Sequence, residues 1–260
     1  MWEDRFIRHI LSFQQQFSFK NNRIPVSAAV GIATGSLVVG IWVVRDYQRW
    51  RSFGVGGSPP NSYGYSRSLL LGLVNKVTFY NTRDASSLSA TNSPRLILDD
   101  ELPTRQGPSV RILFPPLPHR QAPEQLSGNL QNKLHALIPA LGLARPDLFE
   151  IRASQTEGGT TSALYARAEN PKLNPVARKP FYTLDKEIAH IHPEDNSLHV
   201  WLSEADAKAV IEKGWGERFV VSLAPNGFVM VYAPRSEDEL RTVECIVKGA
   251  AKWISGADDL

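Results

Sequence analysis

Three of the six histidines in this 260-residue chain, His190, His192 and His199, fall within ten residues. Neutral imidazole can take a proton near neutral pH or offer a lone pair to a metal ion, so the grouping points to one of two chemistries. One is metal-free general-base catalysis. The other is a three-histidine site for iron or zinc. A carboxylate ligand close behind the pair is out of register, since Glu194 follows His192 too soon, and Glu187 falls on the opposite face of a regular strand. The bland alternative is a solvated sheet face with three ordinary surface histidines.

The hairpin that must position these rings is readable. Strand residues alternate faces, so His190 and His192 share one. Pro193–Asn196 is turn-like and Ser197–Ser203 reads as the returning strand. A four-residue turn sets His190 opposite His199, a two-residue turn sets His192 there, and an odd-length turn or bulge would break the grouping. The reverse face carries Ala189, Ile191, Leu198, Val200 and Leu202, a core pattern. Ile188, Ser197, Trp201 and Ser203 join the histidine face.

Around the hairpin the pattern predicts an α+β fold: a small antiparallel sheet with helices packed on one face, preceded by one N-terminal transmembrane helix. Residues 66–79 read as a short amphipathic helix, and Pro115–Pro118 as extended, near polyproline II. A leucine-spaced helix opens at Pro123 and ends near Gly142. Strands are expected at 149–154 and 162–169 around Thr156-Glu-Gly-Gly-Thr, and a loop at 170–180. After the hairpin come a helix from a cap at Ser203 to Lys213 and strands 219–223 and 228–233 around Pro225-Asn-Gly. A last helix starts from the capping box Ser236-Glu-Asp-Glu239 and stops at Gly256. Cys245 is expected as a small core residue of that helix.

Residues 24–44 are a 21-residue run without a charge, long enough as a helix to cross about 30 Å of hydrocarbon. Trp42, Tyr47 and Trp50 would form an aromatic belt at one end. Arg45, Arg49 and Arg51 slightly favour a cytosolic C-terminal side, and the anchor type suggests the endoplasmic reticulum. Residues 1–23 form an N-terminal interfacial segment, in which Trp2, Phe6, Ile10, Phe13 and Phe17 make one helical stripe. Residues 45–95 are juxtamembrane helices and linker, and 96–260 the α+β domain. A net charge of +3 with scattered basic residues argues against nucleic acid. One cysteine excludes an internal disulfide. No phosphate loop, dinucleotide fingerprint or hydrolase nucleophile is visible.

Several strings resemble the fungal luciferase family, which includes many non-luminous relatives. They are Lys186-Glu-Ile-Ala-His190-Ile-His192 with Ser197-Leu-His199, Glu212-Lys-Gly214-Trp-Gly216-Glu-Arg218, and Tyr232-Ala-Pro-Arg235-Ser-Glu-Asp-Glu. Arg45-Asp-Tyr-Gln and Leu102-Pro-Thr-Arg105-Gln-Gly107 are similar too. The resemblance implies a luciferase-like domain over 96–260 and an oxygenase with O2 as co-substrate and no other cofactor, unless iron or zinc occupies the histidines. Luminous members add O2 to a hydroxylated styryl-pyrone, 3-hydroxyhispidin, and the endoperoxide loses CO2. Here the partner would be a small aromatic or pyrone substrate.

On that basis His190, His192 or His199 would take the enolic proton and a second histidine or Arg105 would hold the enolate oxygen. Trp201, Trp215 or Tyr232 would stack on a planar ring. Arg235 is a substrate-binding candidate, or else a helix-end partner of Glu237 or Asp238. His119 and Arg120 either reach the pocket or sit in a solvated loop, and His9 and His135 are placed at the interface and on a helix surface. The competing class is a non-catalytic, membrane-tethered protein of the same fold holding a hydrophobic ligand.

Overall fold

A computed structural model describes residues 25–91, 93–178, 184–222 and 224–260. The N-terminal stripe, with His9, lies outside them. The chain divides into two units, residues 1–46 and 47–260. The first described element is helix α1 (Val26–Arg51), whose most apolar stretch is unburied and is long and apolar enough to cross a membrane. Trp50 is not part of an exposed belt. It is 1% exposed, packs on Tyr47 and Tyr65, and donates from Nε1 to the Leu117 carbonyl at 2.6 Å.

The larger unit is built on a six-stranded antiparallel sheet, in order β1-β2-β3-β4-β6-β5. The strands are β1 (Phe149–Ala153), β2 (Ser162–Ala166), β3 (Glu187–Ile191), β4 (Leu198–Trp201), β5 (Gly216–Arg218) and β6 (Phe228–Val231). Helices α3 (Gly128–Ala144), α5 (Glu204–Glu212) and α6 (Glu237–Ser255) pack on one face. The core there joins Ala189, Ile191, Leu198 and Val200 of the hairpin to Leu134 and Ile138 of α3, Val210 of α5, and Val243 and Val247 of α6. That is the face the alternation assigned to packing. Ser236 caps α6 by accepting from Glu239 N, and Gly256 ends it in the left-handed conformation that glycine adopts without a Cβ penalty.

Four elements differ from expectation. Helix α3 starts at Gly128, not Pro123, because the Ser127 hydroxyl accepts from Leu130 N and supplies the cap. The strand expected at 219–223 lies at Gly216–Arg218. Gly214, with φ of 79°, reverses the chain at once after α5, so it enters the sheet early. Pro115–Pro118 bends instead of running extended, and its Leu117 carbonyl is held by Trp50 and Ser68. The loop after Asn170 contains a one-turn helix, α4 (Pro175–Arg178). Helix α2 (Ser62–Val77) leaves Leu70, Leu73 and Val77 exposed.

Candidate active site

The hairpin turn is the four-residue one. His192 N donates to the Ser197 carbonyl at 2.8 Å, and His190 pairs with His199 across β3 and β4. Asn196 takes the left-handed backbone (φ 62°) that lets the turn close, and the Asp195 carboxylate accepts from Ser197 N and Oγ. All three imidazoles therefore share a face, and that face is not solvated: His190 and His192 are 0% exposed and His199 is 4% exposed.

Their nitrogens converge. His190 Nε2 lies 3.2 Å from His192 Nε2, His192 Nε2 is 3.1 Å from His199 Nδ1, and His199 Nδ1 is 3.3 Å from His190 Nε2. Glu157, from the loop between β1 and β2, adds Oε2 at 3.5 Å from His190 Nε2 and 3.8 Å from His192 Nε2. The buried Arg120 donates to both its oxygens, from Nη2 to Oε1 and from Nη1 to Oε2 at 3.4 Å.

The outward ring nitrogens are each anchored. His190 Nδ1 is 2.6 Å from Glu187 Oε1, and His192 Nδ1 is 2.8 Å from Ser197 Oγ. His199 Nε2 is 3.4 Å from His119 Nδ1, whose own Nε2 is 2.9 Å from Glu217 Oε1. Glu187 reaches the histidine face because of a bulge. The β2–β3 register shifts between Leu164 and Tyr165, so that Tyr165 opposes Glu187 while Leu164 opposes Ala189. The regular-strand reading that put Glu187 on the opposite face is corrected by that extra residue.

Burial raises the Glu187 carboxyl, but hydrogen bonds from His190, Tyr165 and Thr156 outweigh it and hold the group down at about 2. Asp195 is pushed up to about 6 by burial, against the pull of Arg120 and Ser197. Burial, reinforced by Arg120 and neighbouring rings, keeps His192 and His199 well below the usual imidazole range, so both are neutral at pH 7.

A cavity of about 480 Å³ adjoins this cluster, reached by the rings of His199 and His119 and walled by Leu117, Leu184, Phe219 and Phe228, with Arg67 and Ser58 among its polar groups. Phe228 lies 5.2 Å from the His199 ring centroid and Phe219 5.1 Å.

The structure also separates residues that the sequence reading grouped. Arg105 is not beside the histidines. Its guanidinium bonds Glu239 and the Ala233 carbonyl and lies over the rings of Trp215 and Tyr232. Trp215 is fixed to the Pro103 carbonyl, Arg235 is paired with Glu239, and Trp201 is buried away from the cavity lining. Tyr232 alone connects, donating from its hydroxyl to Glu217, the partner of His119. Conversely, His119 and Arg120 are each 1% exposed, not solvated. Their segment is tied down by Gln121, which donates from N to Asp195 and accepts at Oε1 from Ala233 N. His135 sits partly buried on α3 and meets Asn196.

Residues 185–250, from β3 into α6, match the luciferase domain family. The luciferase of Armillaria mellea is 27% identical over 250 residues, covering 92% of this chain and 91% of the relative. That of Neonothopanus nambi is 26% identical over 240 residues, 88% of each. The domain match and the similarity to fungal luciferases over about 90% of the chain support a fungal luciferase-family protein. No solved structure matches it. The three histidines and Glu217 fall inside the matched luciferase domain, whereas His119 and Glu157 come from segments before it.

Proposed function

We propose that this luciferase-family protein is a membrane-anchored oxygenase that adds O2 to a small enolic pyrone or phenol of the 3-hydroxyhispidin type. The observation that carries the reading is the buried, carboxylate-backed imidazole cluster opening on an apolar cavity with aromatic walls. A cavity of this size takes a planar drug-sized molecule, and its phenylalanines suit a flat ring. An enol must lose its proton before its carbon reacts with O2. His119 and His199 both line the cavity and meet at 3.4 Å, and His119 Nε2 is anchored by Glu217, so this pair is placed to receive it. Arg67 at the cavity is suited to the resulting oxyanion. Helix α1 acts as the single-pass anchor, with the C-terminal domain on the cytosolic side, as the arginines after the apolar run suggest.

The test is oxygen uptake by the full chain across a set of hydroxylated pyrones, with His119, His190, His192 and His199 changed singly to alanine. Turnover in the parent protein that disappears in the variants while their melting temperatures hold supports the reading. Undiminished uptake in all four variants, or no uptake by the parent with any pyrone, overturns it.

A further inference from the structure

The hydrogen bonds around the three histidines assign their protons. The Ser197 hydroxyl donates to Asp195, so it must accept from His192 Nδ1–H. Glu187 accepts from His190 Nδ1–H. Glu217 accepts from His119 Nε2–H, which leaves His119 Nδ1 to accept from His199 Nε2–H. With one proton on each ring, every one of those protons is spent outward. Three lone pairs then face one another at 3.1–3.3 Å, with the Glu157 carboxylate as a fourth acceptor. The three imidazole lone pairs have no donor among them, and the Glu157 oxygen beside them is only partly satisfied by Arg120 Nη1 at 3.4 Å, so the groups repel in a buried site without solvent to relieve it.

A cation at their centre resolves the conflict, and the spacing fits one. Nitrogens about 2.1 Å from a metal at angles between 90° and 109° lie about 2.9–3.4 Å apart. The observed triangle falls inside that range, and the ligand atoms of all four residues lie within 4.8 Å of one another. The outer shell has the character of a metal site as well, since each imidazole is oriented by a carboxylate directly or through one group. Charge points the same way. The buried carboxylates Glu157, Glu187, Asp195 and Glu217 outnumber Arg120 and Arg83, the guanidiniums paired with them.

We propose that His190, His192, His199 and Glu157 bind one divalent first-row transition-metal ion. Three imidazoles and one carboxylate suit iron, cobalt, manganese, nickel or zinc more than calcium or magnesium, which prefer all-oxygen shells. The ion lies beside the cavity that holds the enol in the proposed reaction. Its place in catalysis rests on that reading, but its binding does not.

The full chain, purified in detergent without a metal-affinity tag or chelator, is analysed for metals, then stripped with a chelator and titrated with Co²⁺. Near-stoichiometric metal before stripping, and cobalt d–d bands that saturate at one ion per chain with a rise in melting temperature, support the site. His192→Ala should abolish the bands. Glu157→Gln should weaken Co²⁺ binding about 10-fold or more. Traces of metal in the untreated protein together with no cobalt bands and no thermal shift overturn it, and this arm needs no variant to fold. The two readings separate cleanly. Oxygen uptake by a protein that binds no metal removes the ion and keeps the oxygenase, whereas metal binding without uptake on any pyrone does the reverse.

Discussion

Glu187 and His190 are three positions apart on β3, yet their side chains meet at 2.6 Å on the same face of the sheet. Glu187 also accepts from Tyr165 Oη, Ser154 Oγ and Thr156 Oγ1, so the carboxylate ties β2, the β1–β2 loop and the first histidine together. Glu187→Gln keeps the shape but loses the charge that orients the imidazole. Cobalt affinity should fall about 10–100-fold, with a smaller loss of thermal stability. Unchanged affinity alongside a lowered melting temperature would make Glu187 a purely structural residue.

The hairpin register, the helix-packed face and the caps of α6 are legible in the sequence because they depend on local periodicity and short capping rules. Glu187 is not, because one bulge residue inverts the parity on which the face assignment rests. Glu157 and His119 escape notice for a different reason. They reach the site from loops some 30 and 70 residues before the hairpin, which no spacing rule connects to it. The one visible trace is Glu157 beside Gly158 and Gly159, whose φ values of 68° and 82° form the tight turn that brings the carboxylate back. Arg105 shows the opposite failure. A basic residue in a family-like string suggested an oxyanion clamp, but Glu239 on α6 is its partner.

Arg120 is buried with Glu157, and its Nε finds no partner among the described residues. Removing the guanidinium alone strands a carboxylate in a dry site. Arg120→Met should cost about 3–5 kcal/mol in urea unfolding. Arg120→Met combined with Glu157→Gln should recover part of that loss, because the unpaired charge is then gone. A double variant no more stable than the single one would refute the coupling.

Glu239 supplies a pH dependence away from the histidines. Burial raises its carboxyl, but Arg235 and Arg105 outweigh burial and hold it at about 2, below an ordinary glutamate. The folded group thus releases its proton more readily than the unfolded one. Its stabilisation is complete above the ordinary glutamate pKa of about 4.3 and fades as pH falls towards 2. In Glu239→Gln, the stability difference from the parent protein should be largest near pH 6 and shrink below pH 4, read from denaturant midpoints. A difference constant with pH would contradict the assignment.

Gly249 in α6 tests how tightly the helix sits on the 93–102 segment. A Cβ there would stand 2.6 Å from Ile97 Cγ1 and 3.1 Å from Cδ1, and Ile97 is 1% exposed. Gly to Ala in a helix interior gains about 1 kcal/mol of propensity. Overpacking a filled core costs about 1–3 kcal/mol. The clash should win, so Gly249→Ala should lower the melting temperature of the parent protein but not that of an Ile97→Ala variant, which lacks both clashing carbons. A stabilised single variant would mean that Ile97 can swing aside.

Phe219 tests the cavity as a substrate site. It is half-buried, edge-on to both His199 and Phe228, and forms part of the cavity wall. An aromatic contact of this kind is worth about 0.5–1.5 kcal/mol beyond area burial. Phe219→Leu keeps the wall apolar and removes the ring face. The KM for a planar pyrone should therefore rise about 2–10-fold, with kcat and melting temperature little changed. If kcat fell while KM stayed constant, Phe219 would be supporting the His199 ring instead of the substrate. A variant indistinguishable from the parent protein in both constants would place the substrate elsewhere.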